Sequence, residues 1–472
     1  MTQAVGAGEA TARGVYLMRF ALISLGIGLH AFNEFAVVAA VPRAAVAFKG
    51  ESLVGLISAL YLIGAVGGGM VGVVLRRTFG ARAALLWGAF AFVAGATISM
   101  NADGMGWLCL GRGLSGLSDG LIVAICYSLI PEMFPSALVP KVFAAEAVVW
   151  ALAGIFGPLV GGGLTDWFGW RVAMLAAMPI LLAFVAVSAG ALPGESGDRA
   201  AMGGLRRLWP VAVALSGAAV ISAPVVVRDL AAGALALMVG VVLLVAAFAF
   251  DARQADPVFP RRSFRADVVG FGMWVMATVS FAHYLAQPYV ALGLQEQFGL
   301  AAAWVGAGSV VLALSWSGAA ILASGQRFDG WRPAFTVAGP IMVAFGEGVT
   351  ALGMAQGWLG LVIAGQAGVG VGFALFWGRV TQAVMDGAPE EERDRAGGIM
   401  PTIASLGSAV GAGAGSILAV SSGLPKALQQ LDGGGQAAAL QWGTAAAFAA
   451  VAVAAGWRQY RAGKMQPPTR AT

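Results

Sequence analysis

The sequence is poor in charged residues. They make up 11% of its 472 positions, whereas hydrophobic residues make up 59% and the mean hydropathy is +0.82. A soluble domain carries about 25% charged residues. This deficit argues against a soluble globular protein and predicts an all-α protein that crosses a bilayer repeatedly.

Cysteine and histidine are also scarce. Each occurs twice, as Cys109, Cys126, His30 and His283. The cysteines share one apolar segment and would lie about 25 Å apart along a helix, so no disulfide is expected between them. So few ligands predict no metal site, and we expect no cofactor. Clustered catalytic groups are missing as well, which argues against an intramembrane enzyme.

What the sequence has in abundance is apolar runs, most of them long enough to span a bilayer. The runs at 208–227 and 230–250 contain no charged residue, and those at 83–100 and 358–376 are short. The fourteen runs, numbered here as segments 1 to 14, lie at 18–41, 53–75, 83–100, 106–130, 142–164, 172–192, 208–227, 230–250, 268–292, 304–323, 334–354, 358–376, 397–420 and 437–457.

Lysine and arginine are distributed unevenly between the two sides of these segments. With the N-terminus inside, the inner loops and tails hold 22 of the 28 Lys and Arg residues, and the outer loops hold 5. This asymmetry predicts both termini in the cytoplasm and an even number of spans. It also explains the isoelectric point of about 9.5 without a nucleic-acid partner. Residues 1–13 are small and polar, and they predict no cleavable signal peptide.

A weak internal repeat divides the chain. The predicted inner loops 77–82 and 327–332 each carry two arginines around an aromatic residue and a glycine. Segment 5 has a glycine-rich core at 154–163, and segment 13 carries glycines at four-residue spacing from Gly407. The two members of each pair are separated by nearly the same number of residues. This repeat predicts two six-helix halves with segments 7 and 8 inserted between them. The predicted units are 1–195, 196–265 and 266–472.

Five acidic or basic candidates stand out inside apolar runs, where a charge is costly and normally faces a cavity or a partner. Glu34 and Arg112 lie at similar depths, which predicts an ion pair or a shared hydrogen-bond network. Arg112 and Asp119 share one face of segment 4, with Ser115 between them. We interpret Glu34, Asp119 and Arg112 as a proton-coupling site; the alternative is a structural network that fixes helix packing. The five residues are Glu34, Arg112, Asp119, Glu146 and Glu347.

Segment 9 contributes further polar residues. His283 and Gln287 are four residues apart and share a helix face. They are expected either to line a cavity or to belong to an interfacial aromatic belt. Glu146 is expected to be structural and to reach the inner-loop arginines. The predicted substrate cavity comprises Glu34, Ser115, Asp119, His283, Gln287 and Glu347.

Segment 5 contains the most informative stretch, Gly157-Pro158-Leu159-Val160-Gly161-Gly162. A proline inside a helix frees a backbone carbonyl and bends the helix. Glycines let a neighbouring helix approach closely. These properties predict a conformational role for Gly157, Pro158, Gly161 and Gly162. A short loop with Arg77, Gly80 and Arg82 joins segments 2 and 3.

Several stretches resemble the fourteen-helix drug:proton antiporter family of the major facilitator superfamily. Gly157–Gly162 resembles its antiporter signature, and Arg112–Gly116 resembles an Arg-x-x-x-Gly element whose arginine is linked to proton coupling. Val38–Pro42 is similar to the family's end of the first helix. The sequence departs from the pattern at two places. Asn33 occupies the first-helix aspartate position, with Glu34 beside it, and Arg77 occupies the place of an aspartate in the loop between segments 2 and 3.

The resemblance implies the major facilitator fold, with two six-helix bundles and two inserted helices. It also implies a proton-coupled efflux transporter of the cytoplasmic membrane that exports amphipathic or cationic small molecules by alternating access. Its partners would be a small-molecule substrate, protons and the lipid bilayer. The resemblance does not determine whether a periplasmic adaptor protein takes part. The alternative is an exporter of one specific metabolite, such as a siderophore or a biosynthetic product. The resemblance also implies that the loop with Arg77, Gly80 and Arg82 is the inner gate. The two departures imply that the inner gate is locked by other residues and that the proton acceptor lies at another position.

The charge asymmetry gives a direct test of topology. Single cysteines replace Arg228 or Arg262 in a chain whose Cys109 and Cys126 have been changed to serine. A membrane-impermeant maleimide added to whole cells should label position 228 only, because 262 is predicted to be cytoplasmic. Labelling of position 262 from outside would contradict the predicted orientation.

Overall fold

The computed structural model describes residues 2–135, 138–192, 208–222, 230–254, 257–328, 330–429 and 434–465, and these are mainly α-helical. We number the main helices along the chain as α1 (Thr2–Ala36), α2 (Val54–Phe79), α3 (Ala81–Met100), α4 (Met105–Met133), α5 (Val139–Phe168), α6 (Met178–Ala191), α7 (Trp209–Ser222), α8 (Leu230–Asp251), α9 (Val268–Glu296), α10 (Ala302–Ala323), α11 (Phe335–Gln356), α12 (Leu359–Gly387), α13 (Met400–Ser422) and α14 (Gly434–Met465). Short helices at Ala40–Ala47, Trp170–Ala173, Arg393–Gly398 and Leu424–Gln429 join some of them. The predicted all-α class is confirmed.

Within the described residues, 12 helices are long and apolar enough to cross a membrane. They correspond to segments 1–6 and 9–14. The inserted pair contributes the shorter apolar helices Trp209–Ser222 and Met238–Asp251, the second being the later part of α8. The end of the predicted run at 208–227 and the predicted boundary at 195 lie outside the described residues. Fourteen spans therefore stay a prediction.

Local sequence signals set the ends of several helices. Gly80 separates α2 from α3 with φ +83°, a backbone conformation that strongly favours glycine. The side chain of Asp267 caps α9 by accepting from the amides of Val269 and Gly270, both at 3.0 Å. Gly423 ends α13 in the left-handed region.

The two halves repeat one packing device. Gly161 of α5 faces α1, where an added methyl group would overlap the carbonyl oxygen of Ala36. Gly411 of α13 faces α9, where a methyl group would overlap the carbonyl oxygen of Phe281. Close backbone approach thus joins the first and fifth helices of each half. These glycines belong to the two rows that the sequence repeat relates.

The inserted pair packs beside the join between the halves. Helix α7 contacts α8, and it also contacts α2 of the first half and α13 of the second. Gly413 of α13 approaches Ser222 at the end of α7. At the other end of the pair, Asp251 accepts hydrogen bonds from the amides of Val258 and Phe259, both at 2.9 Å. This carboxylate fixes the chain between α8 and α9.

The apolar core shows which end of the molecule is closed. At the predicted outer end, one core contains residues of both halves, including Ile57, Trp170, Tyr289 and Trp442. Toward the predicted inner end the two halves have largely separate cores. The bundles are therefore sealed together on the predicted outer side.

Hydrogen bonds reinforce this outer seal. The Gln295 side-chain amide donates to the carbonyl of Ala39 at 2.8 Å, and the Tyr289 hydroxyl donates to the carbonyl of Ser52 at 3.2 Å. The Asp166 carboxylate, at the end of α5, accepts from the amides of Ala302 and Ala303 at 3.0 and 2.9 Å. Asp166 thus caps the first turn of α10 in the opposite half.

The Gly-Pro motif of α5 lies in this seal. Gly157 approaches Phe35 and Ala36 of α1, whereas Gly162 approaches Ala302 at the start of α10. A methyl group added at Gly306 of α10 would overlap the carbonyl oxygen of Pro158. The motif therefore contacts both its own half and the opposite half.

We expect Gly162→Ala to weaken the outer seal. The added methyl group would overlap the backbone of Ala302, and overpacking of this kind costs about 1–3 kcal/mol. A maleimide should then label a cysteine placed at Ala39 faster than in the parent. Gly163→Ala is the matched control, because nothing lies within 4 Å of its added methyl group. Equal labelling rates in both variants would contradict the packing role.

Candidate functional site

Asp119 is the centre of a buried polar network. It lies midway along α4 and its side chain is fully buried. Its Oδ2 accepts hydrogen bonds from Asn33 Nδ2 of α1 at 2.6 Å and from the Tyr61 hydroxyl of α2 at 2.9 Å. Its Oδ1 has no hydrogen-bond partner among the described protein atoms. One oxygen is thus held by the protein and the other is unpaired.

Close packing of α2 on α4 brings Tyr61 to this carboxylate. A methyl group at Gly116 would overlap the carbonyl oxygen of Tyr61, and one at Gly120 would overlap that of Ala65. The two backbones are therefore in direct contact beside the network. Neither helix could move away without pulling the Tyr61 hydroxyl from Asp119.

Arg112 contacts the network through an aromatic ring. Its guanidinium carbon lies 4.5 Å from the centroid of the Tyr61 ring, a cation–π geometry. It is almost fully buried, forms no salt bridge with Glu34 or Asp119, and its Nε has no partner among the described residues. Glu34 and Arg112 thus form no ion pair; the hydrogen bond that joins segments 1 and 4 is made by Asn33 and Asp119 instead.

His30 links Asp119 to Glu34. Its Nδ1 lies 3.4 Å from the Tyr61 hydroxyl and 3.9 Å from Asp119 Oδ2, and its Nε2 lies 3.9 Å from Glu34 Oε2. The Glu34 side chain is 25% exposed, unlike Asp119. The Tyr284 hydroxyl of α9 donates to Glu34 Oε1 at 3.3 Å. Glu34 therefore joins the Asp119 network to the second half.

The network carries one net negative charge when both carboxyl groups are ionised and His30 is neutral. Glu34 and Asp119 then face a single buried cation, Arg112. One proton, on either carboxylate or on His30, brings the group to neutrality. A monovalent cation bound beside the unpaired Asp119 oxygen would have the same electrostatic effect.

The second half contains its own buried pair. His283 Nδ1 of α9 lies 2.9 Å from Glu347 Oε1 of α11, and both residues are buried. Glu347 thus has a partner that its sequence surroundings did not reveal. Gln287 is half-buried on α9, and its Oε1 has no hydrogen-bond partner among the described residues.

Two predicted residues lie apart from these groups. Ser115 packs against Gly95 of α3, and no hydrogen bond joins its side chain to the network in the described residues. Glu146 Oε1 accepts from the Ser24 hydroxyl of α1 at 2.6 Å. Its partner is therefore a serine rather than the expected inner-loop arginine.

The predicted inner gate is a tight connection. Gly80 alone separates α2 from α3, Arg82 is half-buried and Arg77 is exposed. The neighbouring Arg76 makes the contact with α4, through a salt bridge to Glu132 and a 2.6 Å hydrogen bond to Ser128. Arg76 was not among the predicted gate residues.

Sequence reasoning missed Tyr61 as a site residue and noted Asn33 only as a departure from the family pattern. Tyr61 is a lone phenol within a run of aliphatic residues and glycines, which is a usable signal. Its partners lie on α1 and α4 and are distant in sequence, so no local pattern could assign them.

The sequence matches the Major Facilitator Superfamily over residues 23–412. The chain belongs to this superfamily of membrane transporters, as the sequence motifs predict. It is 26% identical over 426 residues to a probable multidrug-efflux transporter of Mycobacterium tuberculosis, covering 85% of this chain and 88% of that protein. It is 25% identical over 410 residues to a cephamycin export protein of Amycolatopsis lactamdurans, covering 81% of each.

Solved structures show the same fold. The chain superimposes on the POT family transporter PepTSo with a TM-score of 0.69 at 16% identity, covering 96% of this chain and 99% of that one. It matches a D-xylose–proton symporter with a TM-score of 0.66 at 16% identity, covering 97% and 99% of the two chains. The predicted major facilitator fold is confirmed, and the chain is a multi-pass membrane transporter.

The two roles of Tyr61 can be separated by substitution. Tyr61→Phe removes the hydroxyl that donates to Asp119 but keeps the ring beneath Arg112, whereas Tyr61→Leu removes both. Losing a hydrogen bond to a buried group costs about 1–3 kcal/mol. We expect a lower midpoint of thermal unfolding in detergent for Tyr61→Phe and a larger decrease for Tyr61→Leu. Equal decreases would show that the Arg112–ring contact contributes little.

Proposed function

We propose that this protein is a proton-coupled efflux transporter that exports amphipathic or cationic small molecules across the cytoplasmic membrane. The observation that carries the proposal is the fully buried Asp119, which has one oxygen held by Asn33 and Tyr61 and the other unpaired. A carboxylate buried within a membrane-spanning helix is costly, and such a residue is by default a candidate functional site. The similarity to a probable multidrug-efflux transporter supports the direction of transport.

Coupling follows from competition for the same negative charge. The Glu34, Asp119 and Arg112 group is neutralised by one proton or by one monovalent cation. A proton that enters from outside would displace a cationic substrate, and release of that proton to the cytoplasm would restore the binding charge. Arg112 offsets one of the two negative charges of this group, so that one proton or one monovalent cation completes the neutralisation.

Alternating access would use the inter-bundle contacts. The outer seal closes the path to the outside, while Glu34 and Tyr284 join the bundles near the network. Protonation of Glu34 would weaken the hydrogen bond from Tyr284, because a neutral carboxyl group is a weaker acceptor than a carboxylate. The substrate cavity proposed between the bundles comprises Glu34, Ser115, Asp119, His283, Gln287 and Glu347. Gly157, Pro158, Gly161 and Gly162 would serve the conformational change, with Arg77, Gly80 and Arg82 at the inner gate.

A second candidate function is the export of one specific metabolite. The similarity to a cephamycin export protein over 81% of this chain favours it. Both candidates use the same fold and the same coupling site. They differ in substrate range, so a panel of permanent monocations and neutral natural products assayed in inverted vesicles separates them.

Neutral variants test the coupling site. Glu34→Gln and Asp119→Asn mimic the protonated state, and each should keep the fold but lose accumulation of a monocation driven by a pH gradient. Arg112→Ala should be the most damaging, because removing one member of a buried charge network costs about 3–5 kcal/mol. Accumulation is measured in inverted vesicles that contain equal amounts of each variant.

Glu146→Gln is the matched control. It also removes a buried carboxylate, but Glu146 is bonded to Ser24 and lies outside the Asp119 network. It should keep the parent's accumulation. If Glu34→Gln and Asp119→Asn both accumulate substrate at the parent's rate under a pH gradient, the coupling site lies elsewhere.

A further inference from the structure

The pair His283–Glu347 is an ionisable site separate from the Asp119 network. The rings of Phe373 and Tyr284 lie 5.2 and 5.6 Å from the His283 ring, and Trp316 stacks on Phe373 at 5.1 Å. The pair is therefore enclosed by aromatic groups rather than by compensating charges. Tyr284 is adjacent to His283 in sequence, yet its hydroxyl bonds to Glu34.

The helices around the pair contribute few other ionisable groups. Helices α10, α13 and α7 have none in their described residues, and Glu347 is the only one on α11. The ionisable residues of α12 and α14 lie toward the predicted inner ends of those helices. On α9, Tyr289 lies in the outer seal and Glu296 lies beyond it. Tyr61, the only ionisable group in the central part of α2, bonds to Asp119 instead. These groups are Arg379, Asp386, Arg458, Tyr460, Arg461, Lys464, Tyr289, Glu296 and Tyr61.

Proton counting defines what the pair can do. With a single proton between His283 Nδ1 and Glu347 Oε1, the pair carries one negative charge. A second proton, on either group, makes it neutral. Moving an uncompensated charge in a low-dielectric, aromatic environment is costly. The pair therefore favours conformational exchange in its neutral, doubly protonated form.

We propose that His283–Glu347 is a second proton-carrying site, so that each transport cycle exchanges two protons for one monovalent cation. The inference rests on the proposed antiport and extends it to stoichiometry. One proton is carried by the Asp119 network in the first half and one by Glu347 with His283 in the second. Export of a monocation is then electrogenic, because one net positive charge enters per cycle.

The transport test measures coupling stoichiometry. Purified protein in proteoliposomes is given a gradient of one pH unit, with the membrane potential held at zero by potassium and valinomycin, and ethidium as the monocation. Each coupled proton supports about a tenfold substrate gradient under these conditions. The parent should reach about 100-fold, and Glu347→Gln about tenfold.

Two controls accompany this test. Glu347→Asp is a rescue variant: it keeps a carboxyl group, so its limiting gradient should exceed that of Glu347→Gln. Gln366→Leu is the neutral control: it removes a buried polar side chain of the same half, one that donates to Thr350 at 3.2 Å, and should keep the parent's limiting gradient. A limiting gradient of only about tenfold in the parent would overturn the two-proton proposal. So would a limiting gradient of about 100-fold in both the parent and Glu347→Gln. Absence of any proton-driven gradient in the parent would instead count against the proposed antiport.

A second measurement needs no substrate. Infrared difference spectra of the purified protein between acidic and alkaline pH report protonated carboxyl groups through their C=O stretch. Glu347→Gln should remove one pH-dependent C=O band. The band that Asp119→Asn removes should still be present in Glu347→Gln. Identical pH-dependent carboxyl bands in the parent and in Glu347→Gln would overturn the assignment of Glu347 as a proton carrier, whatever the transported compound.

Discussion

The close approach of α2 and α4 is the contact on which the candidate site depends. Gly64 and Gly68 of α2 face the backbone of α4, and Gly116 and Gly120 of α4 face the backbone of α2. In a bilayer, helices gain little from hydrophobic association, so van der Waals contact between such small residues stabilises their packing. This contact brings the Tyr61 hydroxyl to Asp119 and its ring to Arg112, which lets a carboxylate and a guanidinium remain buried together.

Close packing at glycine residues also joins other helices of the transporter. Glycine rows join α5 to α1 and α13 to α9, so the first and fifth helices of each half pack backbone to backbone. The halves meet in one core at the predicted outer end, and the Glu34–Tyr284 hydrogen bond joins them beside the buried charges. The Glu34 carboxyl group therefore lies at a contact between the two halves.

Several features were predictable because they depend on local pattern. The apolar runs place the helices, and the seven-residue spacing of Arg112 and Asp119 places both on the α2-facing side of α4. Other features depend on partners far away in sequence. Glu347 has no local partner, yet α9 brings His283 to it. Asn33, which stands where the antiporter family that the sequence resembles has an aspartate, donates to Asp119 of α4.

The sequence by itself determined that the chain is a helical membrane protein of two related halves, since hydrophobic length and the repeated glycine and arginine patterns are properties of contiguous residues. It also named most of the buried ionisable residues, because a charge in an apolar run is conspicuous. Only the tertiary structure decided how these residues are grouped. Asp119 pairs with Asn33 and Tyr61, and Glu347 pairs with His283, because hydrogen bonding requires contact within about 3 Å. Such contact is set by the crossing of helices that are distant in the chain.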